Sequence, residues 1–377
     1  MSLIFNDLYL FLSRDFAVVL SMANLGQLKG TMWTTVLITL VIFVGFIIVI
    51  SFFISYAVGL EISPTAIILG ALGLAIIFML IQFAISPAIV RWSTRLRYLQ
   101  PGENVWLEGT VSKLAQQAGV KAPRLAIVPD RTPNAFVFGN SSNNMTLAVN
   151  QGLLDQLNED EIQGVLGHEI GHIRHKDSII MTFMSAVPLV AFVIVRMAFG
   201  FGYYGGMGGS RKGNRDNGAV YIILAGIVAL IVYFIAQLLV LRLSRLRESY
   251  ADVFSAYLTG APRELESALA RITYGLSLSS EEPHGARALY ISDPALAKQE
   301  MNQVMEHVNR YDLDKDGVLD EHELELAMEQ EAKSRWGALN QAFATHPPTY
   351  KRLLLLRQID QEITSRGLQT SNIYEHA

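Results

Sequence analysis

The chain has 377 residues, of which 51% are hydrophobic and only 17% charged, with a formal net charge of −4 and no cysteine. Because soluble domains average about 25% charged residues, this composition points to a membrane protein. The near-neutral charge argues against nucleic acid as the main partner, and the missing cysteines exclude disulfides, thiolate zinc ligands and a thiol nucleophile.

Four long apolar segments are predicted to form helices that cross a membrane. A helix needs roughly 20 apolar residues to span the hydrocarbon core, and the first, second and fourth segments reach that length without a charged residue. The predicted spans are residues 32–58, 64–90, 178–203 and 219–241, with an N-terminal segment at 1–31 and a glycine-rich loop at 204–218.

The third apolar segment leaves two interpretations open. It contains Pro188, and its uncharged part ends at Arg196, so it is shorter than the others. The helix could span the membrane with the Arg196 side chain extended toward the interface, or it could be buried inside the protein.

Basic residues beside the apolar segments predict the orientation. Cytoplasmic loops carry an excess of Lys and Arg, so the clusters after the second and fourth spans place residues 91–177 and 242–377 in the cytoplasm. The clusters are Arg91, Arg95 and Arg97, and Arg242, Arg245 and Arg247. We therefore expect a multi-pass protein of the cell (inner) membrane with these two regions on its cytoplasmic side.

A metal-binding pattern follows in the segment NEDEIQGVLGHEIGHIRHKD. Asn158 is a good helix N-cap, and Glu161 stands in the capping-box position three residues later. On the predicted helix, His168 and His172 are one turn apart and project from the same face, where both imidazoles can bind one cation. Glu169 stands beside the first of them, where it could polarise a metal-bound water, and this pattern favours a catalytic zinc site.

A third ligand is expected from SRLRESYADVFSA, beyond the fourth apolar segment. Glu248 and Asp252 are four residues apart, so they share one face of a helix that continues from the membrane. Counted along the helices, His172 and Glu248 both stand about 10 Å from the apolar segments. Glu248 could bind the metal while Asp252 holds a ligand imidazole from behind. His175 is expected to be a solvated helix end instead of a ligand.

The motifs HEIGH, RESYAD and FATHPPTYKRL in combination resemble the HtpX-like membrane zinc metalloproteases, which are relatives of the CAAX prenyl proteases. The segment from PNAFVFGN through MTLAVNQGLLDQLNEDEIQGVLGHEIGH also resembles that family. The resemblance implies the zinc ligands His168, His172 and Glu248, with Glu169 as general base and Asp252 behind a ligand. It also implies a zincin-like α+β catalytic domain formed by residues 91–177, 242–294 and 337–377.

Residues 134–150 are predicted to form a β-hairpin, NAFVFG and MTLAVN around the turn SSNN. A strand beside the zinc helix could bind substrate by strand addition, or the hairpin could be purely structural. The substrate-binding residues predicted here are Asn134, Leu147, Ala148, Val149 and, further on, Arg352. Arg352 could instead pack against a carboxylate. By resemblance, His346 is expected to stabilise the oxyanion, although HPP is also compatible with a plain turn.

The segment YDLDKDGVLDEHELELAMEQ fits the EF-hand pattern D-x-D-x-D-G-x5-E. The predicted calcium ligands are Asp312, Asp314, Asp316, Val318, Asp320 and Glu323. Residues 295–336 therefore read as an EF-hand-like insertion, although an acidic helix-loop-helix that binds nothing is the alternative.

Together these features predict a mainly α integral membrane protein with four transmembrane helices and a small sheet. The expected activity is a zinc-dependent endopeptidase for misfolded or damaged membrane proteins, acting in protein quality control and stress response, with calcium as a possible modulator. The expected partners are the lipid bilayer and unfolded or membrane-protein substrates. The alternatives are a CAAX-type prenyl-protein protease and a non-catalytic, calcium-responsive membrane scaffold.

Overall fold

The computed structural model describes residues 25–58, 64–205, 216–278, 290–294, 296–299, 302 and 343–366. Its helices are α1 (Leu25–Val58), α2 (Pro64–Thr94), α3 (Val105–Gln117), α4 (Gln151–Gln156), α5 (Glu159–Arg174), α6 (Asp177–Gly205), α7 (Asp216–Thr259), α8 (Pro262–Leu278) and α9 (Thr349–Arg366). Its strands are β1 (Arg97–Tyr98), β2 (Arg124–Val128), β3 (Ala135–Phe138) and β4 (Thr146–Asn150).

Each predicted membrane span lies within one long helix, in α1, α2, α6 and α7. Among the described residues, the stretches that are long and apolar enough to cross a membrane are Leu28–Phe53, Ala75–Thr94, Asp177–Gly200 and Val220–Thr259. Helix α7 has 44 residues and continues far past the predicted end of the fourth span, which is how one helix carries both an apolar segment and the RESYAD motif.

The described residues within 33–86 and 179–243 form one compact unit, built from parts of α1, α2, α6 and α7. Phe43, Phe46 and Ile50 pack in its interior against small residues such as Ala191 and Ala229. Small residues allow helix backbones to approach closely, which is how membrane helices associate when lipid and side chains are equally apolar. Large apolar side chains lie on the outside of this unit, among them Leu37, Val41, Ile77, Ile81 and Phe234.

The third apolar segment is not a buried helix. Phe192, Val193 and Met197 on α6 are exposed, and so is Arg196. An apolar outer surface of this kind fits contact with lipid, so the interpretation of this segment as a helix buried inside the protein is wrong.

The described residues within 87–178 and 244–366, together with residues 25–32, form the second compact unit. It contains a four-stranded sheet in the order β1-β2-β4-β3, in which β2 and β4 are parallel and the other neighbours antiparallel. Helix α5 packs against α3, α8 and β3, and α9 packs against α8. The small sheet and the helices around it confirm the expected α+β character of this unit.

The predicted hairpin is present, with β3 and β4 paired antiparallel and a turn around Ser141 and Asn144. However, β4 is an inner strand that pairs with β2 on its other side. Strand addition requires an unpaired main chain, so the prediction that Leu147, Ala148 and Val149 bind substrate in this way is wrong. The strands at the two edges of the sheet are β1 and β3, and β3 is the one that pairs with β4 in the hairpin.

Helix α5 begins as the sequence predicts. The side chain of Asn158 accepts a hydrogen bond from the Glu161 main-chain N–H, and the Glu161 side chain accepts one from the Asn158 N–H, both at 2.9 Å. Glu161 also accepts hydrogen bonds from Ser267 and Arg271 of α8, so the capping box joins two helices.

Several predicted features lie outside the described residues. They are the whole calcium loop with Asp312, Asp314, Asp316, Val318, Asp320 and Glu323, most of the insertion at 295–336, most of the N-terminal segment and most of the glycine-rich loop.

Candidate metal centre

Helix α5 places the two histidines of the HEIGH motif side by side. One helical turn separates them, and their Nε2 atoms lie 3.0 Å apart. His168 is completely buried and Glu169 nearly so. His168, Glu169 and His172 together form a group of donor atoms that could hold a metal ion.

Helix α7 brings Glu248 to the same point. Its Oε2 lies 3.4 Å from His168 Nε2, and its Oε1 lies 3.5 Å from His172 Nε2. Two ligands that each lie 2.0–2.2 Å from a tetrahedral zinc are separated by about 3.3–3.6 Å. The observed separations agree with this value within a few tenths of an ångström. Glu248 Oε2 is also buried without a well-formed hydrogen bond among the described residues, so the donor set fits zinc.

Asp252, one turn after Glu248, lies behind the first histidine. Its Oδ1 is 2.9 Å from His168 Nδ1, on the side of the ring that faces away from Glu248. Arg352 of α9 donates to both oxygens of Asp252, from Nε at 2.8 Å and from Nη2 at 2.7 Å, and also to the Ile291 carbonyl. The placement of Arg352 therefore matches the alternative in which it packs against a carboxylate.

A second carboxylate, which the sequence did not reveal, lies behind the other histidine. Asp177 Oδ2 is 2.7 Å from His172 Nδ1, and Asp177 Oδ1 pairs with Arg247. Asp177 follows His172 by five residues and opens the next helix, and Arg247 precedes Glu248. This proximity in sequence is the hint that the sequence offers, but the contacts of Asp177 with His172 and Arg247 form only in the folded chain.

His346 lies at the same centre, with its Nε2 3.7 Å from Glu248 Oε1. Its Nδ1 is 2.9 Å from the hydroxyl of Thr345, which in turn donates to Asp293 at 3.2 Å. Because this hydroxyl donates to a carboxylate, its oxygen is left to accept from Nδ1–H of His346. The contact orients the ring so that Nε2 points toward the metal-binding group. Thr345 and Asp293 were not predicted.

His175 is not a solvated helix end, so that prediction is wrong. Its ring packs against the rings of Tyr250 and Phe254, with centroids 4.3 Å and 5.0 Å away. Burial and the nearby Arg247 charge lower the pKa of His175 to about 3, so its imidazole is neutral at physiological pH. It supports the end of α5 by packing.

Asn134, which was predicted to bind substrate, is buried and its side-chain oxygen accepts a hydrogen bond from the Ile291 N–H at 2.9 Å. Ile291 is also the residue whose carbonyl accepts from Arg352. Asn134, directly before β3, is thus hydrogen-bonded to residues 290–294, the segment whose Ile291 carbonyl accepts from Arg352.

The pKa values of two buried groups at the centre, His168 and Glu169, are shifted by their surroundings. Burial opposes the charged form of His168, but Asp252 and Glu248 outweigh it and raise its pKa to about 9. Because zinc binds only the neutral imidazole, a proton on His168 competes with the metal below that pH. Burial raises the pKa of Glu169 even though both histidines act against it. A carboxylate with a raised pKa is a better proton acceptor.

This chain is similar to known proteases in sequence. The profile of peptidase family M48 matches residues 101–360. The protease HtpX homolog of Aeropyrum pernix is 34% identical over 311 residues, which are 81% of this chain and 90% of the relative. That of Methanothermobacter thermautotrophicus is 41% identical over 206 residues, 55% of this chain and 73% of the relative. Among solved structures, S. mikatae Ste24p matches with a TM-score of 0.47 and 17% identity, over 86% of this chain and 66% of that one.

The chain belongs to peptidase family M48, and it is a membrane zinc metalloprotease of the HtpX type. The predicted family and enzyme class are thereby confirmed. The part of the chain that the structure describes has four apolar helices, and the protein is a multi-pass membrane protein in contact with the lipid bilayer.

Proposed function

We propose that this protein is an endopeptidase whose zinc ligands are His168, His172 and Glu248. The observation that carries the proposal is the set of three separations among their donor atoms, which match the edges of a zinc tetrahedron. Zinc would polarise the scissile carbonyl and activate water there. Asp252 holds the tautomer of His168, and Arg352 fixes Asp252.

The chain's own residues handle the proton and the developing charge. Glu169, buried beside the two histidines, accepts a proton from the attacking water and passes it to the leaving amine. His346 stabilises the oxyanion through Nε2. Since its Nδ1–H is directed at Thr345, the ring donates from Nε2 only as an imidazolium. Burial lowers the pKa of His346 and opposes this form, whereas the charge of Glu248 and the developing oxyanion favour it.

Misfolded or damaged membrane proteins are the substrate class we propose. Strand β3 supports this, because it is one of the two edge strands of the described sheet and packs beside α5. Its four residues are buried, so a peptide that adds to this edge has to displace the groups that cover it. A peptide added to β3 would be held mainly by main-chain hydrogen bonds, which carry little sequence specificity. Broad specificity suits quality control under stress. We also place the centre on the cytoplasmic side, on the basis of the arginine clusters beside the apolar helices.

Casein cleavage by the detergent-purified protein tests the activity. Wild type and Glu169→Gln are compared at equal bound zinc, measured by atomic absorption. We expect the wild type to cleave and Glu169→Gln to lose at least about 10²-fold in rate, because general base catalysis contributes about that much or more. Asp155→Asn, at an exposed position on α4, serves as the control that should retain activity.

One result would contradict this proposal: wild type and Glu169→Gln both hold zinc, and neither cleaves casein or an unfolded membrane protein. The protein would then be either a CAAX-type protease or a scaffold, which a second substrate distinguishes. A CAAX-type protease would cleave prenylated C-terminal peptides under the same conditions. A calcium-responsive scaffold would cleave nothing.

The calcium site rests on the sequence pattern of residues 312–323, which supplies every ligand position of an EF-hand loop. We expect calorimetry to detect calcium binding to the wild-type protein and a large loss of affinity in Glu323→Gln, which removes the bidentate ligand. If calcium leaves the cleavage rate unchanged while the site is demonstrably occupied, calcium does not regulate the enzyme.

A further inference from the structure

His172 has a carboxylate partner of its own. Its Nδ1 lies 2.7 Å from Asp177 Oδ2, while its Nε2 faces His168 and Glu248. A metal ligand nitrogen must carry a lone pair, so Nε2 binds metal only when the ring proton is on Nδ1. In that tautomer Nδ1–H donates to Asp177, and the contact fixes both the proton and the plane of the ring.

The local backbone places Asp177 there. Helix α5 ends at Arg174, and His175 is its C-cap. Lys176 then adopts a left-handed conformation with φ of 59°, and Asp177 opens α6. This tight turn brings the first residue of α6 back beside His172, which is on the last turn of α5. Residue spacing alone does not predict such a contact.

Arg247 holds Asp177 in turn. It pairs with Asp177 Oδ1 and donates to the His175 carbonyl at 3.0 Å, so it secures both sides of the turn. Both side chains are buried. A buried carboxylate without a cation would be costly, and Arg247 supplies that cation from the residue next to Glu248.

The same arrangement occurs at the other histidine. His168 contacts Asp252, and Arg352 donates to Asp252, whereas His172 contacts Asp177, which pairs with Arg247. Each ligand histidine is therefore backed by a carboxylate, and each carboxylate by a buried arginine. Both arginines lie close to Glu248. Arg247 precedes it in sequence, and Arg352 Nη2 is 3.9 Å from Glu248 Oε2.

We propose that Asp177, secured by Arg247, is a positioning residue that fixes the tautomer and orientation of His172 for metal binding. This rests on the proposed metal centre of His168, His172 and Glu248. Carboxylate partners of ligand histidines raise ligand basicity, and their loss costs about 10–100-fold in metal affinity. The arrangement gives His172 the same support that Asp252 and Arg352 give His168.

Zinc affinity of the metal-stripped protein tests the inference, measured in detergent by competition with a chromophoric chelator. We expect Asp177→Asn and Asp177→Ala to bind zinc about 10–100-fold more weakly than wild type, with Asn the milder change because it keeps an acceptor oxygen. Asp155→Asn should bind like wild type. The cobalt-loaded Asp177 variants should also show altered visible d–d bands, because the ring of His172 turns at the metal.

Thermal unfolding of the metal-free variants separates positioning from folding. A purely structural Asp177 would lower the melting temperature while leaving the cobalt spectrum at saturation unchanged and the zinc affinity of the folded fraction equal to wild type. That combination overturns the inference. In an Asp177→Asn background, Arg247→Gln should weaken zinc binding by less than in wild type, since it acts through Asp177.

The proposed metal centre and this inference fail in different ways. Failure of the wild type to bind one zinc per chain would overturn the metal centre itself. Normal zinc binding by wild type together with equal affinity and an equal cobalt spectrum in Asp177→Asn would overturn only the role of Asp177.

Discussion

His168 and His172 show how much of a metal ligand's behaviour is set by residues that do not touch the metal. Both lie on the same face of one helix, yet Nδ1 of each ring is held by a carboxylate from a different helix, α7 for His168 and α6 for His172. Fixing Nδ1 leaves Nε2 of each ring directed at the common point with Glu248. Their orientation is thus a product of three helices.

His346 allows a test at the scale of a single residue. We expect His346→Ala to lower kcat by about 10²–10³-fold, the usual effect of removing one oxyanion donor, without loss of bound zinc. His346→Gln should keep part of the activity, because its amide donates without being protonated. Stopped-time casein assays with parallel zinc determination measure both quantities.

A different result would reassign this residue. If His346→Ala loses zinc in proportion to its activity, His346 is a metal ligand and not an oxyanion donor. Thr345→Val, which removes the hydroxyl that contacts Nδ1, should show a smaller loss of kcat than His346→Ala.

At the scale of elements, the close approach of α5 to α7 brings the ligands together. Gly167 has no side chain where α5 meets α7, and a Cβ there would lie 2.7 Å from Ser255 Oγ. Ser255 also donates to the Gly164 carbonyl at 2.7 Å, a contact that only closely packed helices allow. The HEIGH helix therefore depends on the glycine that directly precedes its first histidine.

Gly167→Ala should displace the Ser255 hydroxyl from its hydrogen bond to the Gly164 carbonyl and press α7 outward, because Thr259 Cγ2 would also lie 3.1 Å from the new Cβ. Overpacking of this kind typically costs about 1–3 kcal/mol. We expect a lower melting temperature and weaker zinc binding, because Glu248 is carried away from the two histidines with α7. Thermal unfolding and chelator competition in detergent measure the two effects.

Gly109→Ala on α3 is the matched control, since no atom lies within 4 Å of a Cβ at Gly109. Replacing a helical glycine by alanine in open space stabilises by up to about 1 kcal/mol. Equal behaviour of the Gly109→Ala and Gly167→Ala proteins would show that close helix packing at Gly167 is not needed for the site.

The whole molecule combines an apolar helical unit, with large exposed hydrophobic side chains, and a polar unit that holds the metal centre. Since the chain has no cysteine, a single introduced thiol reports its own accessibility without background. Lys113 is exposed on α3 of the polar unit, and Ser210 lies between α6 and α7.

The proposed orientation predicts opposite labelling of these two positions. In intact cells, a membrane-impermeant maleimide should label Ser210→Cys, and it should label Lys113→Cys only after permeabilisation. The reverse pattern would place the metal centre on the outer side. Labelling of both in intact cells would contradict a single orientation.

The sequence by itself determined the four apolar helices, the capped helix with His168, Glu169 and His172, and the helix with Glu248 and Asp252. These features are local, because apolar length, helical periodicity and capping depend on residues within a few turns of one another. It also predicted the β3–β4 hairpin, but not that β4 is the inner strand, because strand order depends on a partner far away in the chain.

Only the tertiary structure decided which side chains support the metal ligands. Asp177, Arg247, Thr345 and Asp293 are ordinary polar residues in the sequence, and the fold brings them into hydrogen-bonded contacts around the metal centre. Three of them are buried, and Thr345 is half-buried. The same holds for Arg352, whose three guanidinium nitrogens each donate to Asp252 or to the Ile291 carbonyl. The physical reason is burial: charged groups removed from water must find partners, and those partners come from whichever elements the fold packs against them.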